Sequence, residues 1–243
     1  MKKISVITVV KNGMPFIKNC IKSFKSQNYL NKEQIIVSEI STDGTVEYLK
    51  KIKDKNIKII FVKKKLGIFK SLNYAVKFCN GYVVCYLHSD DEFINKNVLK
   101  KVMSNFINYD FVFGDVIFKY KNQIKRVWVH GKMNWLKRAF LIVPAHTSVF
   151  VKKAIVKKMR YKIKYAVSSD YEFMIKLFYH KYNSQYLNFF TTSMRLGGNS
   201  TKLENLFKKI KEDISILSKF TKFPIIFLIV KYLFKSNQFF LKK

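Results

Sequence analysis

"YVVCYLHSDDEF", residues 82–93, places three acidic residues directly after a short apolar run. Tyr82–Leu87 is rich in β-branched and aromatic residues, which predicts a buried strand. Asp90, Asp91 and Glu92 then stand just beyond the carboxyl end of that strand. Adjacent carboxylates repel each other unless a cation or hydrogen bonds offset their charge. The block therefore predicts a site that uses negative charge.

Two interpretations of this block remain open on the residues alone. A hard divalent ion such as Mg²⁺ or Mn²⁺ is held by one or two carboxylates together with substrate phosphates and water. The alternative is a helix N-cap, in which Ser89 or Asp90 caps a helix that starts near Asn95.

The segments around this strand alternate between strand-like and helix-like patterns. The predicted strands are Ile4–Val10, Gln34–Glu39, Ile57–Val62, Tyr82–Leu87 and Phe111–Phe113, and the predicted helices are Phe16–Gln27, Thr45–Lys53, Ser71–Cys79 and Lys96–Phe106. This alternation predicts an α/β fold with a Rossmann-like, mostly parallel sheet flanked by helices. Ligands of such open sheets bind beyond the carboxyl ends of the strands. The acidic block, Lys11-Asn12 and Glu39–Asp43 are therefore expected to face one crevice.

The second half of the chain is less regular. Pro144–Val151 indicates a loop followed by a strand, and Ser169–Tyr179 a helix with Asp170 in its first turn. Residues 205–243 read as a basic, amphipathic helical tail behind a domain of residues 1–204.

The chain is strongly basic, with a formal net charge of +32. Only four of the 47 basic residues are arginines, whereas nucleic-acid readers rely on Arg for bidentate contacts. We therefore expect no nucleic-acid partner. The charge reflects either a general surface bias towards Lys or attraction to anionic lipid and phosphate-bearing substrates.

Three further features bear on the cellular compartment of the protein. Cys20, Cys79 and Cys85 lack metal spacing and are expected to be buried thiols of a reducing compartment. The apolar run near the N-terminus is short and has no cleavage-like residues, so it predicts a first strand rather than a signal peptide. No apolar run reaches the ~18–20 residues of a spanning helix.

Three further stretches could carry chemistry. "SEISTDGT", residues 38–45, offers Glu39 for a base or ribose, while Asp43 is favoured as simple turn-and-cap chemistry. Asp170 is either a general base or a helix cap, and Glu172 is expected to be exposed. His146 alone is more typical of a hydrogen-bonded structural residue than of a ligand.

The motifs taken together resemble a known family. The chain is similar to inverting family 2 glycosyltransferases of the GT-A fold, of the bacterial type that builds polysaccharide, capsule or lipopolysaccharide. The resemblance covers roughly residues 1 to 200. It is carried by "ISVITVVKNG" (4–13), "STDGT" (41–45), "GIFKSLNYAVKFCNGYVVCYLHSDD" (67–91), "FVFGDV" (111–116), "PAHTSVFV" (144–151), "SSDYEFMIKLF" (168–178) and "MRLGGNS" (194–200).

The resemblance implies a donor site. Asp90 would contact the ribose or sugar, and Asp91 would hold the metal, Mn²⁺ or Mg²⁺, that bridges the diphosphate. Thr8 and Asn12 would lie near the nucleoside. Glu39 replaces the aspartate usual in the family.

The resemblance also implies a catalytic base at Asp170. His146 and Arg195 lie in segments expected near the donor phosphates or the acceptor. Lys11 stands where a tyrosine is common.

The implied activity is transfer from a nucleotide sugar, expected to be a UDP-sugar, to a hydroxyl of a growing surface glycan or a lipid-linked acceptor. The expected location is the cytoplasm, at the inner face of the cytoplasmic membrane. One alternative is a nucleotidyltransferase, although "KNGMPF" lacks the expected glycine- and basic-rich loop. The other is a non-catalytic basic membrane or nucleic-acid binding protein, which leaves Asp90, Asp91 and Asp170 unexplained.

The tail adds a prediction about partners. Phe223–Phe234 is too short to span a bilayer, but Lys219, Lys222, Lys231 and Lys235 surround it, which favours a contact with anionic lipid. The alternative is a helix that packs on the core or forms a homodimer.

Overall fold

The computed structural model describes residues 1–121, 123–180, 182–197 and 203–236. Its strands are β1 (Ile4–Val10), β2 (Lys32–Ser38), β3 (Ile57–Phe61), β4 (Val83–Tyr86), β5 (Glu92–Phe93), β6 (Phe111–Tyr120), β7 (Gln123–Trp128), β8 (Val149–Lys152) and β9 (Ser184–Arg195). Its α-helices are α1 (Phe16–Lys25), α2 (Thr45–Lys50), α3 (Ile68–Ala75), α4 (Val98–Ser104), α5 (Trp135–Ala139), α6 (Lys153–Met159), α7 (Ser169–Tyr179), α8 (Leu203–Leu217) and α9 (Pro224–Ser236). Two short 3₁₀ turns occupy Val76–Phe78 and His146–Ser148.

The described strands form one mixed sheet in the order β3-β2-β1-β4-β8-β6-β9-β5, with β7 beside β6. The pairs β1–β2, β2–β3, β1–β4 and β6–β9 are parallel, while β8 runs antiparallel between β4 and β6. Helices cover both faces. The predicted α/β class with a mostly parallel sheet and C-terminal helices is confirmed.

Strand alternation explains how β1 is buried on both faces. Ile7 packs with α3 and α7 on one side, whereas Val6 and Val10 pack with α1 and α4 on the other. Successive side chains of a strand point to opposite faces, so a central parallel strand must be apolar almost throughout. The three cysteines are buried and free, as predicted.

The structure extends the predicted elements of the second half. The strand predicted at Phe111–Phe113 continues to Tyr120, because its far end pairs with both β7 and β9. Neither β7 nor β9 was predicted. Helix α7 has the predicted bounds, Ser169–Tyr179.

The structure excludes the alternative of a helix cap at Ser89 or Asp90. After Asp91 the chain enters β5, which pairs with β9, and α4 begins only at Val98 behind Asn97. The acidic block is therefore separated from that helix by a strand, and its charge needs another explanation.

The C-terminal helices α8 and α9 pack against each other and against the domain, with Ile216, Leu217 and Leu228 buried. None of the described helices is long and apolar enough to cross a bilayer. The boundary at residue 204 stays a prediction, and residues 237–243 of the predicted tail lie outside the described residues.

Two side chains near these helices depart from expectation. Glu172 is buried, not exposed, because Lys176 and Lys219 approach its carboxylate at 2.7 and 3.5 Å. Lys231 is not available to contact lipid. It is buried, and its Nζ lies 2.6 Å from Oδ2 of Asp213.

Candidate active site

A cleft of about 360 Å³ opens at the carboxyl ends of the first three strands. Its lining residues follow β1, β2 and β3: Lys11, Asn12, Glu39, Ile40, Thr42 and Lys65. Asn12 and Glu39, both predicted to lie near the nucleoside, are thus brought together by the parallel sheet.

Asn12 joins the loops that follow β1 and β2. It has a φ of 50°, in the left-handed region where Asn is enriched among non-glycine residues. Its N–H donates to Oγ of Ser41 at 2.9 Å, and its Oδ1 accepts from the N–H of Thr42 at 2.9 Å. These bonds hold the two loops that shape the cleft.

Asp43 takes the structural role that was favoured for it. Its carboxylate accepts from the N–H and Oγ1 of Thr45 and from the N–H of Met14. The Oγ1 of Thr45 in turn accepts from the N–H of Gly13 at 2.9 Å. A Cβ on Gly13 would lie 2.3 Å from Cγ2 of Val10, so this loop requires glycine there.

Glu39 is buried and directed at the start of α3. Its Oε1 accepts hydrogen bonds from the N–H of Gly67 and from Oγ of Ser71, both at 2.9 Å. Both bonds satisfy groups in the first turn of that helix. The side chain of Glu39, which is longer than the aspartate usual in the family, is therefore held by α3 at the wall of the cleft.

Thr8, which is expected near the nucleoside, lies within β1, and its side chain does not line the cleft. Thr8 is fully buried, and its Oγ1 donates to the Leu87 carbonyl at 2.8 Å and accepts from Nε2 of Gln34 at 3.0 Å. Alternation along β1 turns this side chain towards α1, away from the strand end.

The acidic turn holds an unbalanced negative charge. Asp91 is 3% exposed; its Oδ1 accepts from the N–H of Arg195 at 3.3 Å, while Oδ2 is buried with no hydrogen-bond partner among the described residues. Burial, and next the charge of Asp90, raise the pKa of Asp91 well above its usual value. A cation at this oxygen would remove that penalty.

Arg195 reaches this turn through the sheet. Since β5 pairs with β9, the end of β9 is placed beside Asp91. The Nη2 of Arg195 lies 3.4 Å from Oδ2 of Asp90, and its guanidinium stacks 4.0 Å above the ring of Phe16. A rigid cation is therefore fixed where an anionic donor would arrive.

The pair Asp90 and Asp91 fits a divalent cation. The orphaned oxygen of Asp91 is a hard ligand of the kind that Mg²⁺ and Mn²⁺ prefer. Within the described ranges, no three or more His, Cys, Asp or Glu side chains are grouped so that they could hold a metal ion by themselves. The two carboxylates would therefore share the ion with phosphate oxygens and water, as is usual for these metals.

Asp170 lies in the first turn of α7 and is held from two sides. Its Oδ2 lies 3.3 Å from Nδ1 of His146, and its Oδ1 accepts from the N–H of Tyr171 at 2.8 Å. The Nε2 atoms of His146 and His88 are 2.9 Å apart. We assign a proton of His146 to Nδ1, where it faces the carboxylate.

The charges around Asp170 and its neighbouring histidines keep Asp170 ionised. Burial raises the pKa of Asp170, but the hydrogen bond and charge of His146 and the charge of Lys209 outweigh burial, so the pKa lies well below its usual value. Burial, and next the charge of His146, lower the pKa of His88 to about 3. At neutral pH the Asp170 carboxylate is therefore ionised and His88 is neutral.

Comparison with known proteins decides the family. The sequence profile described as Glycosyl transferase family 2 matches residues 5–185. The chain belongs to glycosyl transferase family 2. It is a glycosyltransferase, which decides against a nucleotidyltransferase and against a non-catalytic binding protein.

Two curated relatives show what this glycosyltransferase is similar to. It is 28% identical over 204 residues to an uncharacterized glycosyltransferase of Methanocaldococcus jannaschii, covering 80% of this chain and 70% of the relative. It is 31% identical over 122 residues to the Escherichia coli protein WfaP, covering 50% and 46%. WfaP is named UDP-Glc:alpha-D-GlcNAc-diphosphoundecaprenol beta-1,3-glucosyltransferase.

Solved structures confirm the GT-A fold of this glycosyltransferase. S. aureus TarS 1-349 with UDP-GlcNAc aligns with a TM-score of 0.69 at 18% identity, covering 88% of this chain and 66% of that one. The mannosyltransferase PcManGT from Pyrobaculum calidifontis, with GDP-Man and Mn²⁺, aligns with a TM-score of 0.68 at 13% identity, covering 96% and 70%. This glycosyltransferase spans 39% of a longer TarS chain.

The structure adds residues of this glycosyltransferase that sequence reasoning missed. One is His88, whose contact with His146 spans 58 residues and has no local signal in the sequence. Glu212 and Lys209 of α8 lie near Asp170 only in the fold. In the sequence they look like ordinary charges of an amphipathic helix, so no local signal could have identified them.

Proposed function

We propose that the chain is a divalent-metal-dependent, inverting glycosyltransferase that moves a sugar from a UDP-sugar to a hydroxyl of a surface glycan. One observation carries this proposal. The Asp90–Asp91–Arg195 group and the Asp170–His146 pair lie at the same edge of the sheet, linked through His88. The cluster around Arg195 suits an anionic leaving group, and the Asp170–His146 pair suits a hydroxyl nucleophile.

The donor side consists of the cleft and the acidic turn. Asn12 and Glu39 line the cleft that would receive the nucleoside, and Arg195 stands ready for the diphosphate. Support for UDP comes from relatives, since WfaP is named for UDP-Glc and TarS was solved with UDP-GlcNAc.

Asp90 and Asp91 would hold the metal. When bound, the cation neutralises charge on the departing nucleotide diphosphate. Arg195 adds a fixed positive charge on the same side, stacked on Phe16 and therefore unable to swing away freely.

Asp170 would act as the general base. The acceptor oxygen forms a bond to the anomeric carbon while the bond from that carbon to the diphosphate oxygen breaks. The acceptor proton passes to the Asp170 carboxylate, which His146 holds in place. General-base assistance of this kind contributes roughly 10²–10⁴-fold to the rate.

The surroundings of Asp170 favour an anionic acceptor, such as a phosphate-linked glycan or lipid-linked oligosaccharide. Lys209 and Lys235 both lie within electrostatic range of Asp170. Burial, and next the charge of Lys209, lower the pKa of Lys235 to about 8. A phosphate of the acceptor would meet these two cations beside the carboxylate.

The exposed face of α9 supports a peripheral contact with an anionic membrane, at the inner face of the cytoplasmic membrane. Ile225, Ile226, Ile229 and Leu233 are each more than half exposed and share one side of the helix. A homodimer through this face would bring together two chains of net charge +32. An anionic lipid surface instead complements that charge.

The proposal is tested by measuring UDP release from a panel of UDP-sugars with Mn²⁺, with Mg²⁺ and with a chelator. Asp170→Asn should lower the rate at least 100-fold while UDP binding by calorimetry stays within twofold. Asp91→Asn should instead remove metal-dependent UDP binding. Asp54→Asn, at a surface ion pair far from the cleft, is the matched control.

Full transfer activity of Asp170→Asn would contradict the assignment of Asp170 as the general base. Equal UDP affinity with and without divalent ion in the wild-type chain would contradict the metal dependence.

A further inference from the structure

Glu212, on α8, accepts hydrogen bonds from the backbone just before α7, the helix that carries Asp170. Its Oε1 accepts from the N–H of Ala166 at 2.9 Å, and its Oε2 accepts from the N–H groups of Val167 and Ser168 at 2.9 and 2.8 Å. Both carboxylate oxygens are therefore used on three consecutive backbone donors. Charge-assisted bonds of this kind are short and directional.

These three residues are the last before α7, and Ser168 is the residue that caps it. The Oγ of Ser168 is buried and makes no hydrogen bond among the described residues, so the usual side-chain cap is missing. The carboxylate of Glu212, on another helix, instead accepts from the N–H of Ser168 itself and from those of the two residues before it. Asp170 follows only two residues later, within the turn whose position Glu212 sets.

The same pair of helices also holds the residue after the base. Lys231 of α9 is paired with Asp213 at 2.6 Å, and its Nζ lies 3.2 Å from the ring centroid of Tyr171. Contacts from α8 and α9 thus flank Asp170 on both sides along the chain, at Ser168 and Tyr171. His146 contacts the carboxylate of Asp170 itself.

We propose that Glu212 is a positioning residue of the glycosyl transfer, acting through the N-terminal turn of α7 to aim Asp170 at the acceptor. The proposal rests on the proposed role of Asp170 as the base. Glu212 lies outside residues 5–185, the part matched by the family profile. The C-terminal helices are therefore part of the catalytic apparatus, whatever else their outer face contacts.

The test compares Glu212→Gln with Glu47→Gln, the same change at an exposed position of α2. Gln keeps the size of Glu but presents an NH₂ group to backbone donors, so at least one of the three bonds is lost. We expect kcat for UDP release to fall about 10-fold, since small displacements of a catalytic group are costly. The KM for the donor and the affinity for UDP with Mn²⁺ should stay within twofold.

Amide hydrogen exchange supplies a readout that does not depend on activity. Exchange at Ala166, Val167 and Ser168 should be at least 10-fold faster in Glu212→Gln than in Glu47→Gln. A residue that only stabilises the fold would lower the melting temperature and leave kcat of the folded enzyme unchanged. Glu212→Asp, which keeps the charge but shortens the reach, should fall between Glu212→Gln and wild type in kcat.

Two results overturn the proposal. One is faster exchange at these amides with kcat within twofold of wild type, and the other is unchanged exchange. A wild-type chain that binds UDP but releases none from any UDP-sugar contradicts the proposed function instead, so the two failures can be told apart.

Discussion

Replacement of Lys231 by Met should lower the free energy of unfolding by about 3–5 kcal/mol, the usual cost of removing one partner of a buried ion pair. The Nζ of Lys231 and Oδ2 of Asp213 are 2.6 Å apart, and the two side chains are 5% and 0% exposed. Without its partner, the Asp213 carboxylate would remain buried and uncompensated.

The loss can be expressed as a melting temperature. An unfolding entropy of about 2.1 cal/mol/K per residue gives roughly 0.5 kcal/mol/K for a chain of this size. The variant should therefore melt about 6–10 °C below wild type. Urea unfolding followed by circular dichroism measures the free energy directly.

The double variant Lys231→Met with Asp213→Leu separates charge from packing. Apolar replacement of both partners should return the protein to within about 1 kcal/mol of wild type. Lys25→Met is the control, because the pair Lys25–Asp54 is 3.3 Å apart but its side chains are 45% and 23% exposed. That variant should lose no more than about 1 kcal/mol.

The reasoning is refuted if Lys231→Met is as mild as Lys25→Met. It is also refuted if the double variant is less stable than both single variants.

Three further outcomes are expected. First, the native state keeps His88 neutral down to a pKa of about 3, whereas the unfolded chain takes up the proton near 6.5. The unfolded state therefore binds more protons between these pH values, so the free energy of unfolding should fall by up to about 1.4 kcal/mol per pH unit on acidification from pH 6.5 to 5. His88→Gln should flatten this slope in urea titrations at several pH values. An unchanged slope would contradict the assignment of this pH dependence to His88. Second, Thr8→Val should cost about 1–3 kcal/mol by stranding the Leu87 carbonyl and Gln34 amide, with UDP affinity unchanged in calorimetry; a large loss of affinity would return Thr8 to the donor site. Third, Ile226→Glu on the exposed face of α9 should abolish co-sedimentation with vesicles rich in anionic lipid, while Ile107→Glu, at a site 72% exposed after α4, should not; equal binding by both variants would remove α9 from the contact.

Local patterns predicted much of the first half of the fold. Strand β1 and helix α7 were visible as an apolar β-branched run and as a helix with an acidic first turn. The long partners β7 and β9 were not, because β6 pairs with them over distances that no local periodicity encodes. The same limit hid the antiparallel insertion of β8 between β4 and β6.

The candidate site divides in the same way. Asp90, Asp91 and Asp170 were predicted from residue type and motif order, and the structure places them at one edge of the sheet with His146 and Arg195. Thr8 is expected near the nucleoside, but its side chain does not line the cleft, because the face on which a side chain emerges is set by strand register and alternation. Glu172 is expected to be exposed and Lys231 to contact lipid, but both are buried, because burial of a charge depends on partners that only packing brings together.

The sequence by itself determined the α/β class, the parallel order of the first strands and which residue types stand at the strand ends, since these follow from short-range periodicity and composition. Only the tertiary structure decided which of those residues meet. The sheet brings Arg195 to Asp91 across 104 residues, and α8 brings Glu212 to the turn before Asp170 across 44. Such contacts arise from how the elements pack, and no spacing along the chain encodes them.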